Sequence, residues 1–161
     1  AFELAAKHDV DVGNLNNPGQ IVLSGAVAGI EGAAAEAKAA GFKMAVKLDV
    51  AGAYHSRLMQ PAADAFAAFL ADIPFAAPAI AVFSNATGTQ VSDPADIKAR
   101  LVDQVTRTVR WEDCFRGALG LGVSDFYECG PGGVLTGIAK RIDRGVNVTS
   151  LNEWADLNPA N

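Results

Sequence analysis

The sequence predicts an α/β protein: a parallel sheet with helices on both faces, joined to part of a smaller α+β unit. Three observations carry that prediction. Beyond residue 74, apolar runs of strand length alternate with amphipathic helical patterns, the order that builds parallel sheets through crossover units. The run at 79–84 (Ala-Ile-Ala-Val-Phe-Ser) is almost entirely apolar, as suits a strand covered on both faces. Before residue 50 the order differs, because two short strands meet at a tight turn between helical stretches. Residues 1–50 are therefore assigned to the smaller unit and residues 51–161 to the parallel-sheet unit.

Taken in order, residues 1–8 read as a helix with His8 on its solvated side. A strand at 10–15 and another at 20–24 flank Asn16-Asn17-Pro18-Gly19. Proline there fixes φ at one central turn position and glycine accepts the positive φ of the next. An alanine-rich helix follows at 31–40, ended by Gly41. Alternation of Val46, Leu48 and Val50 with Lys47 and Asp49 predicts a third strand. Leu58, Ala62, Phe66, Phe69, Leu70 and Ile73 recur at spacings of three and four, giving a helix over 59–73 that Pro74 ends. Asp93-Pro94 is a helix start, with aspartate at the N-cap and proline at N1. Helices at 94–105, 111–122 and 133–144 then alternate with strands at 123–128 and 146–150.

Composition narrows the function. Of 161 residues, 50% are hydrophobic, enough to build a core. A net charge of −5 argues against a general nucleic-acid surface, which needs a basic excess to displace counterions. Two cysteines, Cys114 and Cys129, make no disulfide framework, and no zinc-ligand spacing is present. No apolar run reaches membrane-spanning length and the first residues do not read as a signal peptide, so a cytoplasmic protein is expected. The chain lacks a starting methionine and opens in helix-like sequence, which predicts a fragment or processed product.

The candidate site is Gly52-Ala53-Tyr54-His55-Ser56-Arg57-Leu58-Met59, where alternation gives way to helical spacing. Gly52 is expected to make the turn that presents His55. Asn85 and the Gly130-Pro131-Gly132-Gly133 loop fall at other strand ends, where ligands of open parallel sheets bind. The glycine loop opens a helix and either offers amides to an anion or is only a tight turn. It is not a P-loop, because the lysine and hydroxyl residue are absent. Cys129 is read either as a nucleophile beside His55 or as a buried structural thiol. No G-x-S-x-G occurs, and Ser24 lacks the glycine two residues before it. A histidine base without a nucleophile places half of a site outside this chain.

The ordered set Asn14-Leu15-Asn16-Asn17-Pro18-Gly19-Gln20-Ile21-Val22, Gly52-Ala53-Tyr54-His55-Ser56, Ser84-Asn85-Ala86-Thr87-Gly88, Val109-Arg110-Trp111, Glu128-Cys129-Gly130-Pro131-Gly132 and Val134-Leu135-Thr136-Gly137 resembles the malonyl-CoA:acyl-carrier-protein transacylases of bacterial fatty acid synthesis. Acyltransferase domains of polyketide synthases are similar, and the resemblance covers almost the whole chain. It implies an α/β-hydrolase-like large subdomain (here 51–161) and part of a ferredoxin-like small subdomain (1–50). It implies malonyl transfer from malonyl-CoA, through an acyl-serine, to the phosphopantetheine thiol of acyl-carrier protein, with no cofactor or metal. By the same resemblance His55 is the base, Gln104 orients it through its backbone carbonyl, and Asn16, Tyr54 and Asn85 border the substrate. An aromatic residue before the histidine accompanies malonyl use over methylmalonyl use. The family's loop often has lysine where this chain has Gly133. The serine elbow and a carboxylate-binding arginine lie in the family's upstream half, so this chain alone is expected to be inactive. Lys140, Arg141 and Arg144 cluster on the last long helix and are the candidate docking patch for an acidic carrier protein. The competing reading is a non-catalytic truncated relative that binds carrier protein or a partner chain.

Overall fold

A computed structural model describes residues 1–157. It has an α/β fold of three two-stranded pieces and seven α-helices among the described residues. The N-terminal part runs α1 (Phe2–Lys7), β1 (Asp11–Asn17), β2 (Gln20–Ser24) and α2 (Val27–Glu36). β1 and β2 form the expected antiparallel hairpin about Pro18-Gly19, with Gly19 at φ 87°. Two helical glycines let α2 close over the end of α1. A Cβ on Gly29 would meet the His8 carbonyl oxygen at 2.5 Å, and one on Gly32 would meet His8 Nδ1 at 2.6 Å. His8 is consequently not on a solvated face: its side chain is 16% exposed and Nε2 lies 3.4 Å from Glu36 Oε2.

The expected third strand does not form. Residues 42–50 adopt no regular secondary structure, and Val46, Leu48 and Val50 are each more than half exposed. Alternation marks a strand only where another backbone supplies the ladder, and none of the described strands lies alongside.

After a 3₁₀ turn (Arg57–Met59), α3 spans Gln60–Leu70. The apolar run at 79–84 yields only β3 (Val82–Ser84), which turns back antiparallel onto β4 (Thr89–Val91). It is thus a hairpin arm and not a doubly covered parallel strand; Ile80 is 79% exposed. α4 (Pro94–Asp103) begins as expected, Asp93 accepting from the Asp96 amide at 2.9 Å. α5 (Trp111–Gly120), β5 (Asp125–Cys129), α6 (Val134–Ile142), β6 (Asn147–Leu151) and α7 (Trp154–Leu157) complete the chain. β5 and β6 pair in parallel across the α6 crossover, the one parallel pair of strands among the described residues. Phe115, Ala139 and Val146 are buried beneath them, with the Phe115 and Phe126 rings 4.4 Å apart. Burial of Phe115 and of Val146 contributes about 1.5–3 kcal/mol each.

Several connections join the N-terminal part to the rest, among them Arg57 to Asp9 and Asp11. Residues 108–110 run beside β1: Leu15 donates to the Val109 carbonyl and Val109 to the Gly13 carbonyl, both at 2.8 Å. Thr108 Oγ1 adds a bond to the Val12 carbonyl at 2.7 Å. At the hairpin tip, Gln20 Oε1 accepts from the buried Asn17 at 2.6 Å and from Arg141 of α6 at 3.4 Å.

The glycine loop between β5 and α6 is a turn whose helix start is already occupied. Glu128, 9% exposed, accepts from the Leu135 and Thr136 amides (2.9 Å each) and from Thr136 Oγ1 (2.6 Å). Those amides are the donors an external anion would need, so the carboxylate of the chain itself fills that role. The Thr136 hydroxyl first, then the two amides, hold the Glu128 carboxyl below the usual range. A lowered native value stabilises the fold above the unfolded pKa, about 4.3, and that stability is lost as pH falls through the native value. The melting-temperature gap between wild type and Glu128→Gln is therefore expected to be widest near neutral pH and to close below about pH 4. A gap that stays constant across that titration removes the charge from the argument.

Candidate active site

The conformation of His55 begins with its backbone. Its φ is 60°, a left-handed value that costs a non-glycine residue about 1–2 kcal/mol. Gly52, expected to make the turn, has no positive φ; the histidine carries the unusual backbone instead. Such strain persists only where the surroundings over-determine it, and here three sets of bonds do so. Ser56 is fully buried, its Oγ donating to the Ala53 carbonyl at 2.6 Å and accepting from the Leu58 amide at 3.3 Å. The Arg57 amide donates to Asp11 Oδ2 at 2.9 Å. The imidazole Nδ1 lies 2.7 Å from the Gln104 carbonyl oxygen.

That last bond sets the chemistry of the ring. A carbonyl only accepts, so Nδ1 carries the proton and Nε2 of the neutral ring presents a lone pair. Gln104 is available because it caps α4: its amide donates to the Arg100 carbonyl, while its own oxygen lies past the last intrahelical acceptor. The chain then turns at 105–107 and pairs with β1, which delivers the helix end to the histidine.

His55 opens onto a cleft of about 620 Å³, walled by α1 (Phe2, Ala5), the start of β1 (Asp11), Arg57, Ala86 and residues 106–110. Arg57, Arg107 and Arg110 stand along it, each matched with a carboxylate: Asp9 and Asp11, Asp103, and Asp113. The expected substrate neighbours are distributed differently. Tyr54 is 51% exposed with its ring over Gly52, outside the cleft wall. Asn85 turns inward: its carbonyl accepts from the Arg110 amide at 2.8 Å, and its Oδ1 is 3.9 Å from Cys114 Sγ. Asn16 is half-buried on β1 and does not line the cleft.

Neither cysteine joins His55. Cys114 is buried, donates to the Ser84 carbonyl at 3.3 Å, and burial pushes its thiol up to about 11, which keeps it protonated. Cys129 is exposed at the end of β5, outside the cleft, so it is neither the buried thiol nor a partner of the histidine. Lys140 and Arg144 are exposed on and just beyond α6 and make no ion pair among the described residues, whereas Arg141 is directed at Gln20. The sequence does not single out Asp11, and it offers Arg57 only as part of the stretch around His55. Their signal was weak: Asp9 and Asp11 alternate where β1 begins, on the side that meets the residue two after the histidine.

No family model matches the chain. The chain is 42% identical over 147 residues to the malonyl CoA-acyl carrier protein transacylase of Salmonella typhimurium, covering 91% of this chain and 48% of that protein. An acyl-carrier-protein S-malonyltransferase from Burkholderia pseudomallei superposes with a TM-score of 0.90 at 40% identity, over 97% of this chain and 52% of that one. A malonyl-transacylase solved with a type II polyketide acyl-carrier protein gives 0.88 at 36% identity, over 97% and 50%. The chain spans about half the length of the curated relatives it matches. Among the described residues, no helix is long and apolar enough to cross a membrane.

Proposed function

Because the chain is similar along nearly its whole length to the C-terminal half of malonyl-CoA:acyl-carrier-protein transacylases, we propose that it supplies the base-bearing half of such an enzyme, acting in the cytoplasm. The observation that carries this reading is the 2.7 Å bond from His55 Nδ1 to the Gln104 carbonyl, which leaves Nε2 free to take a proton. In the proposed reaction Nε2 removes the proton of a serine hydroxyl as the oxygen attacks the malonyl thioester carbon. The imidazolium then protonates the departing coenzyme A thiolate. Transfer to the phosphopantetheine thiol of carrier protein repeats these steps in reverse order.

The serine and the arginine that pairs with the malonyl carboxylate are assigned to an upstream half. Two features support that assignment: the relatives' double length, and a β5–β6 pair that has a free edge on each strand among the described residues. In the complete protein these strands belong to an α/β-hydrolase-like sheet, and α1 through α2 to a ferredoxin-like insertion. In the reconstituted enzyme, His55→Ala should slow malonyl transfer by about two to four orders of magnitude, measured as thioester turnover. Near wild-type turnover would remove His55 from the mechanism. The 161-residue chain alone should form no malonyl adduct.

Tyr54 is proposed to restrict the α-carbon of the acyl group. Its ring is free of core packing and immediately precedes the base. Excluding one methyl is worth about 1–3 kcal/mol, or ten- to two-hundredfold in specificity. Competition between malonyl-CoA and methylmalonyl-CoA should therefore shift toward methylmalonyl in Tyr54→Ser. An unchanged ratio would assign selectivity elsewhere.

Carrier-protein docking is proposed at Lys140, Arg141 and Arg144, since a chain of net charge −5 can attract an acidic partner only through a local patch. Arg141 also holds Gln20, so Lys140 and Arg144 are the cleaner pair to reverse. Lys140→Glu with Arg144→Glu should raise KM for carrier protein about three- to tenfold and leave that for malonyl-CoA alone. Equal constants in variant and wild type would reduce the patch to a solvated helix end.

A further inference from the structure

Among the described residues the two non-glycine residues with positive φ are Asp9 (53°) and His55 (60°), and Arg57, two residues after the histidine, reaches back to Asp9. Arg57 Nη2 donates to Asp9 Oδ1 at 2.8 Å, and its Nε lies 3.4 Å from Asp11 Oδ2. The same Asp11 oxygen accepts from the Arg57 backbone amide at 2.9 Å. Asp9, Asp11, Arg57 and His55 all line one cleft. The Asp9 carboxylate is 90% exposed, so its ion pair is screened and weak. The Asp11 side chain is 31% exposed and holds a backbone amide as well as a guanidinium. Asp11 is thus the stronger of the two anchors.

We infer that Asp11 is a positioning residue for His55: by holding the amide two residues on, it keeps the histidine backbone left-handed and its Nδ1 against the Gln104 carbonyl. The argument is geometric. With Ser56 buried and capping the 3₁₀ turn, the backbone between His55 and Arg57 has little freedom, and the Asp11 bond fixes where that turn sits on β1. β1 is in turn paired to residues 108–110, a few residues past Gln104. The carboxylate and the carbonyl therefore belong to one frame, and His55 is stretched between them. Asp11 touches no reacting atom; it acts through the ring it aims. The inference rests on His55 being the base, but its test does not.

The test uses two variants of similar size. Asp11→Leu fills the volume with no acceptor, and Asp11→Asn restores an oxygen for the Arg57 amide. On protein carrying ¹⁵N-labelled histidine, with His8→Gln used to assign the two rings, the readout is solvent exchange of the His55 Nδ1 proton and the ring's tautomer signature. Exchange should rise about tenfold or more in Asp11→Leu, with Nδ1 no longer the single protonated nitrogen, and return to within about threefold of wild type in Asp11→Asn. Unchanged exchange in Asp11→Leu overturns the inference, as does an equal loss in both variants. In the reconstituted enzyme, Asp11→Leu should lower kcat about ten- to a hundredfold with KM for malonyl-CoA unchanged, the signature of a misplaced base. A fall in kcat/KM caused by KM alone also overturns it. If His55→Ala retained turnover while the exchange result held, the base assignment would fail and the positioning would stand.

Discussion

A single hydrogen bond, from the His55 ring to the Gln104 carbonyl 49 residues later, sets the demands that the surrounding structure meets. It needs a helix that ends at residue 103, so that a backbone oxygen is left without an intrahelical partner. It needs the next segment to turn and pair with β1, which brings that helix end to the histidine. It also needs a left-handed backbone at position 55, a conformation that local sequence disfavours. An uncharged acceptor fixes the tautomer without adding a carboxylate next to the ring, so the imidazole keeps a free lone pair and no permanent ion pair.

Strain of about 1–2 kcal/mol at His55 is comparable to one or two net hydrogen bonds of about 1 kcal/mol each. The buried Ser56 cap, the Asp11 anchor and the Gln104 bond together match or exceed it. This places the rigidity of the site in polar contacts. Two of the three apolar clusters among the described residues lie to either side, one beneath the hairpin around Ala5, Val10 and Val12 and one around Phe115. The site spans the seam between them, where β1 meets residues 108–110.

The same seam explains why so much apolar surface is open. Tyr127 on β5 and Val134 at the start of α6 are each about two-thirds exposed or more, and Met44, Val46, Leu48 and Val50 are each more than half exposed. A parallel pair is normally buried on both faces, because its strands alternate with covering helices. Here each strand has a neighbour on one side only among the described residues. The chain spans about half the length of its relatives, and this open surface is where the proposed upstream half would pack.

How much of this was legible in the sequence depended on the range of the cause. Pro18-Gly19 determined the hairpin and Asp93-Pro94 determined the start of α4; each is a signal contained within a few residues. The resemblance implied that the Gln104 backbone carbonyl meets His55, and that oxygen lies 2.7 Å from Nδ1, although nothing in the spacing of the two residues told it. Tertiary structure alone decided the rest. Val46–Val50 alternates like a strand yet stays unpaired, because a ladder requires a second backbone that the described chain does not place there. The glycine loop reads as an anion site until Glu128, seven residues before Leu135, takes its amides. Asp11 and Arg57, 46 residues apart, carry no pattern that links them. Local propensity is written along the chain, whereas strand partners, caps from a distance and the strained histidine arise only when remote segments share the same space.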